Sequence, residues 1–241
     1  MPVEHNPDFI HHVDPRKTSL IREVVFGMED GMVSTLGAVT GIATATGSYF
    51  MIALSGLVVI AVESISMGVG SYLSNKSEQD MNKRKVFEEK SELKNFPAEE
   101  RDELRDIYLE DGWPKGLAET MADTASKDKK LFLKEMIYHE LEIGSFQNEA
   151  HPFKKGLVMF VSYMLGGLTP LLPYLVIKDI FVAIPVSVGI TLVGLFLIGV
   201  GTTKFSKRKW WKAGFEMLGL ASLAALIGYG VGQVVDYFWL K

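Results

Sequence analysis

Apolar and polar residues are segregated along this chain in blocks far longer than a soluble core requires. From Gly31 to Asn75 the only formally charged residue is Glu63, and from Gly156 to Thr203 the only two are Lys178 and Asp179. Lys76 to Lys155, by contrast, holds 34 charged residues, 19 of them acidic. A helix needs roughly 20 predominantly apolar residues to cross the hydrocarbon of a bilayer. The pattern therefore predicts an all-α polytopic membrane protein with five transmembrane helices, at Val24 to Thr46, Tyr49 to Leu73, Gly156 to Ile177, Ile180 to Thr203 and Lys212 to Phe238. Around them it places a polar tail over 1–19, two spans within 20–75, a helical water-soluble insert over 76–155 and three spans within 156–241.

The connections at Gly47-Ser48 and Lys178-Asp179 are short enough to allow only antiparallel hairpins. Lys204, Lys207, Arg208, Lys209 and Lys212 surround the fourth connection, and Arg16, Lys17 and Arg22 precede the first span. The excess of Lys and Arg on cytoplasmic loops puts the amino terminus, the insert and this basic loop in the cytoplasm. Trp210, Trp211, Tyr237 and Trp239 stand where interfacial aromatics belong. The polar first nineteen residues, with Pro2, Pro7 and Pro15, do not read as a cleavable signal, so the first span serves as its own insertion signal.

Composition narrows the chemistry. The 241 residues include no cysteine, which removes disulfides, a cysteine nucleophile and thiolate metal sites, leaving carboxylate, imidazole, thioether and backbone oxygen as metal ligands. A net charge of −4 without a basic stripe argues against a nucleic-acid partner. The insert has no phosphate-binding loop, nucleophile elbow or paired serine and histidine, so no enzymatic reaction is expected.

The informative positions are those that cost energy in lipid. An acid at mid-bilayer costs about 3 kcal/mol, which marks Glu63, near the middle of the second span, as a functional candidate. Glu29 and Asp30 near the start of the first span are either interfacial and solvated or part of a path. Gly27, Gly31, Gly37 and Gly41, with Ser34, Thr35, Thr40 and Thr44, make that span thin and polar. It suits a pore or a dimer contact; ordinary close packing inside one protomer is the competing reading. Gly228, Gly230 and Gly232 in the fifth span read as packing.

In the insert, the pattern predicts a helix from Ser77 to Lys94, a break at Asn95-Phe96-Pro97, and a second helix from Ala98 to Leu109 with Pro97 at its first position. A short helix at Lys115 to Ala125 follows, then a long one capped by Ser126 and running to about Gly144. Glu89 and Glu92 are three apart, as are Glu100 and Glu103, so each pair projects from one helix face and can chelate a divalent cation. Met136, His139 and Glu140 share a face and offer thioether, imidazole and carboxylate, a set that suits a borderline transition metal. A solvated acidic surface accounts for the same spacings. The absence of Glu-x-x-His from the insert argues against a ferritin-like di-iron centre.

Three segments carry a resemblance. Asp30-Gly31-Met32-Val33-Ser34-Thr35-Leu36-Gly37-Ala38-Val39-Thr40-Gly41, Ser66-Met67-Gly68-Val69-Gly70-Ser71-Tyr72-Leu73 and Tyr163-Met164-Leu165-Gly166-Gly167-Leu168-Thr169-Pro170-Leu171-Leu172-Pro173-Tyr174 resemble the vacuolar iron transporter family, and the likeness extends over nearly all of the chain from about Leu20. The resemblance implies a homodimer that exports Fe(II), with Mn(II), Zn(II) or Co(II) as alternatives, from the cytosol in exchange for protons along a path at the dimer interface. It implies that Asp30 and Met67 line the path and that Glu89, Glu92, Glu100, Glu103, Met136 and Glu140 bind metal in the insert. Two positions depart from the family pattern. Its second-span glutamate falls on Val59, one turn from Glu63, and a second insert methionine falls on Ile137, for which His139 is a candidate replacement. The host membrane would be the cell membrane in a prokaryote and a vacuole-type membrane in a eukaryote. A membrane-anchored metal sensor or buffer that transports nothing is the alternative, and a channel without proton coupling a third reading.

Overall fold

The computed structural model describes residues 15–141, 150–206, 208–235 and 237. Lys207, Phe238, Trp239 and the end of the expected last insert helix, at Gly144, lie outside them. Every regular element among the described residues is a helix: α1 (Pro15–Thr46), α2 (Tyr49–Asn95), α3 (Pro97–Glu110), α4 (Lys115–Ser126), α5 (Lys129–His139), α6 (Pro152–Val176), α7 (Ile180–Ser206) and α8 (Trp210–Val235). The chain divides into two units, Met1–Leu73 with Ala150–Lys241, and Ser74–Glu149.

Among the described residues three helices, α2, α6 and α7, of the five spans expected, are long and apolar enough to cross a membrane by length and composition. In the first unit α1 packs most extensively on α6 and α8. Its thinness is used within the chain: a Cβ on Gly31 would strike the backbone of Tyr163 and Gly167, one on Gly41 would meet the Gly228 carbonyl at 2.9 Å, and one on Gly228 would strike the Gly37 carbonyl. The glycines of α1 and α8 therefore form one seam, the close packing inside a protomer that had competed with a dimer contact. Gly228→Leu would force a branched side chain against backbone that cannot withdraw. Such overpacking typically costs about 1–3 kcal/mol, so the purified protein should melt at a lower temperature, whereas Gly230→Leu, with open space at its Cβ, should leave the melting point unchanged.

The two tight turns form as expected. Gly47 adopts φ +56° and ends α1 with its N–H donated to the Ala43 carbonyl at 3.1 Å. Asp179 starts α7, its Oδ1 accepting from the Phe181 N–H at 2.9 Å. Helix ends differ from expectation in several places: α1 begins at Pro15, within the expected polar tail, and α6 at Pro152, within the expected insert. The second span and the first insert helix are a single helix, α2, because no glycine or proline occurs between Gly70 and Pro97. Ser126 is not a cap but the last residue of α4, its hydroxyl donating to the Asp123 carbonyl at 3.1 Å. Asp128 caps α5 instead, accepting from the Lys130 N–H at 2.8 Å, and α5 ends at His139.

The second unit has its own apolar core, formed by Leu104 and Tyr108 of α3, Ala118, Ala122 and Ala125 of α4, and Phe132 and Met136 of α5, with Leu93 of α2 packed against it. Each helix contributes residues three or four apart, the spacing that puts side chains on one face.

Candidate metal centre

Three of these helices continue their apolar faces into carboxylates. Glu89 lies one turn before Leu93 on α2, Glu100 one turn before Leu104 on α3, and Glu140 one turn beyond Met136, just past the end of α5. The acids consequently meet at one end of the core, where one oxygen from each of Glu89, Glu100 and Glu140 lies within 4.8 Å of the other two. Glu89 and Glu100 are only 1% and 6% exposed, and an oxygen of each, Oε1 of Glu89 and Oε2 of Glu100, is buried without a hydrogen-bond partner. Glu140 is exposed and closes the group from the solvent side.

Burying acids together disfavours their charged forms. Desolvation, reinforced by a hydrogen bond with Glu140 and by the charges of Glu140, Glu100 and Glu92, pushes the Glu89 carboxyl up to about 9. Desolvation and the charges of Glu103, Glu140 and Glu92 push Glu100 up to about 7. Glu103 is raised in the same direction, by burial first and then by Glu140 and Glu92. Neutralising such a group requires either protons or a cation, and a cation also supplies the partner that the two orphaned oxygens lack. The donor set is all oxygen, acceptable to Fe(II), Mn(II) and other divalent ions.

In the first unit, Asp30 on α1 and Met67 on α2 are half-buried, and Glu63 on α2 is exposed. Asp30 and Glu63 lie within electrostatic reach of one another and of the Tyr163 hydroxyl. The Ser34 hydroxyl donates to the Asp30 backbone carbonyl at 2.7 Å. That spends its only proton, so Tyr163, whose oxygen is 2.5 Å from Ser34 Oγ, is the donor in their contact.

Residues 21–233 match the VIT family. The chain is 31% identical over 224 residues to a vacuolar iron transporter of Toxoplasma gondii, covering 90% of this chain and 74% of that protein. It is 30% identical over 236 residues to a vacuolar iron transporter of Centaurea cyanus, covering 95% and 93%. With vacuolar iron transporter 1 of Arabidopsis thaliana it shares 27% over 229 residues, covering 94% and 91%. The chain belongs to the VIT family.

In this VIT-family chain the expected ligands divide. Glu89, Glu100 and Glu140 converge, while Glu92 and Glu103 are exposed and bear on the group through their charge. Met136 is wholly buried within the apolar core. His139 does not join the carboxylates: its Nδ1 is 3.0 Å from Asp111 Oδ2 and its Nε2 3.6 Å from Glu135 Oε2. Consecutive helical residues point about 100° apart, so placing Glu140 toward Glu89 and Glu100 turns His139 toward Asp111 at the end of α3. That sends it away from the group in which a replacement ligand would have to sit.

One acid escaped sequence reasoning. Glu23, only 4% exposed, accepts from Ser71 Oγ at 2.8 Å and lies 3.8 Å from the Arg22 guanidinium. The signal was present in its spacing, since Glu23 and Asp30 are seven residues apart and so share a face of α1.

Proposed function

We propose that this protein carries Fe(II) across a membrane, out of the cytosol and in exchange for protons, as a homodimer with five spans per chain. It is a carrier and not an enzyme, in keeping with the vacuolar iron transporters to which it is similar. The observation that carries the reading is Glu63, an acid exposed on the surface of a helix apolar enough to span a bilayer. Its neighbours Val62 and Ile65 are exposed too, at 59% and 57%. Hydrocarbon is a costly surrounding for that carboxylate; a second copy across a hydrated path, with Asp30 and Met67 on the same side, removes the cost.

The reading assigns each group a role. The insert, 76–155, is cytoplasmic and gathers dilute metal on Glu89, Glu100 and Glu140, with Glu92 and Glu103 adding negative potential. Asp30 replaces hydration oxygens at the mouth of the path, Met67 supplies a thioether that favours Fe(II) over Mg(II) and Ca(II), and Glu63 binds proton and metal in turn. Mn(II), Zn(II) and Co(II) satisfy the same ligand set. The basic stretch with Arg208 and Lys209 keeps its end of the bundle in the cytoplasm.

Proteoliposomes loaded with a ferrous chelator test this. Fe(II) uptake should accelerate when the interior is made more acidic than the outside, with measurable proton movement in the opposite direction. Uptake indifferent to the gradient removes proton exchange and leaves a channel. Binding without any uptake leaves the anchored sensor or buffer.

A further inference from the structure

Of the three converging carboxylates, Glu140 has the least to hold it. Glu89 and Glu100 are fixed on their helices by apolar neighbours one turn away, Leu93 and Leu104. Glu140 stands one residue past the end of α5 and is exposed. A long side chain at a helix end loses conformational entropy when it is confined to one place, so a ligand there needs a fixed backbone beneath it. Packing alone offers little: contact between α5 and α3 is the slightest of the three pairings among α3, α4 and α5.

His139 supplies the missing hold. Its side chain is only 21% exposed, and its Nδ1 is 3.0 Å from Asp111 Oδ2, just past the end of α3. A carboxylate only accepts, so Nδ1 carries the proton of that bond. The ring also stands edge-on to the buried Tyr108 of α3, with centroids 5.2 Å apart. Tyr108 is anchored in turn, its hydroxyl donating at 3.0 Å to Glu135 Oε2, one turn back on α5. The Glu140 N–H donates to the Met136 carbonyl at 2.9 Å, so the backbone of Glu140 continues the last turn of α5 and moves with His139.

The two neighbours reach opposite ways along α3. Glu140 meets Glu100, in the first turn of α3, while His139 meets Asp111. Eleven helical residues separate those partners, about 16 Å. The end of α5 therefore lies across the middle of α3, where Leu104 packs with Met136, and one arm extends to each side. With the His139 arm released, the last turn of α5 is free to rotate and to carry Glu140 away from Glu89 and Glu100.

We propose that His139 is a positioning residue for the carboxylate group: held by Asp111 and Tyr108, it fixes the last turn of α5 so that Glu140 meets Glu89 and Glu100. This rests on the metal-gathering reading of the insert above and deepens it by assigning the residue that preorganises the third ligand. His139 itself touches no metal and acts only through Glu140.

A double-mutant cycle read by Mn(II) titration of the full-length protein in detergent tests this. His139→Ala should weaken Mn(II) binding about tenfold, as removal of a ligand's supporting partner does. His139→Asn should recover most of the affinity, because the amide nitrogen of asparagine takes the place of Nδ1. Once Glu140→Gln has removed the ligand, adding His139→Ala should change the affinity no further, since nothing is left to position. Unchanged affinity in His139→Ala overturns the assignment, as does an asparagine variant as weak as the alanine one. A further loss on top of Glu140→Gln also overturns it: a histidine that merely keeps the insert folded costs binding whichever residue stands at 140, and the melting point falls with it. Wild-type protein that binds no Mn(II) overturns the metal-gathering reading itself.

Discussion

Asp30→Asn is expected to lower Fe(II) uptake about a hundredfold, equivalent to about 2.7 kcal/mol of lost stabilisation, with the fold and the metal affinity of the insert intact. Asparagine keeps the size of the side chain and removes its charge. Nothing in the packing of α1 depends on that charge: the Ser34 contact is to the Asp30 backbone carbonyl, and the close approaches nearby are made by Gly31. What disappears is the anionic oxygen that a partly dehydrated divalent ion requires, close to the second acid, Glu63. Uptake by reconstituted protein, a melting curve and Mn(II) titration of the same preparation separate the outcomes. Wild-type uptake by the variant would remove Asp30 from the path. Loss of both uptake and Mn(II) binding would point to a folding defect.

Much of the architecture was legible because long apolar helices and tight turns leave local marks. Charge-free blocks located the apolar helices, and Gly47 and Asp179 marked the turns. The errors have equally local causes. Ser126 and Asp128 are both good caps two residues apart, and the choice between them depends on Ala125 being drawn into the core of the second unit. The fusion of span and insert into α2 could have been read from the absence of glycine and proline between Gly70 and Pro97, but the change from apolar to charged residues suggested a break.

The carboxylate group was legible as residue types and not as a grouping. Glu-x-x-Glu spacing singled out Glu89, Glu92, Glu100 and Glu103 alike; only the packing of Leu93, Leu104 and Met136 decides that Glu89 and Glu100 turn inward toward Glu140. The contact of His139 with Asp111 was hidden for the same reason, since Asp111 lies twenty-eight residues away in sequence.

The converging glutamates lead to the second large effect, an unusual dependence on pH. With Glu89 pushed up to about 9 and Glu100 to about 7, the metal-free group holds protons at neutral pH that the unfolded chain, with ordinary carboxylates, has already lost. The folded state binds more protons between about pH 4.5 and about pH 9, so stability falls as pH rises through that window and is recovered on acidification. Metal reverses the order, because ligation needs the ionised forms and expels the protons. Mn(II) affinity should therefore climb by up to about tenfold per pH unit for each proton displaced, from about pH 6 to about pH 9. In detergent, the metal-free protein should melt lower at pH 9 than at pH 6, and added Mn(II) should restore most at the higher pH. Glu89→Gln should raise the metal-free melting point at pH 9, flatten its slope and weaken Mn(II) binding, since a neutral amide carries no ionisation cost and no anionic ligand. Mn(II) titrations giving the same affinity at pH 6 and pH 8.5 would mean that Glu89 and Glu100 do not exchange protons for metal.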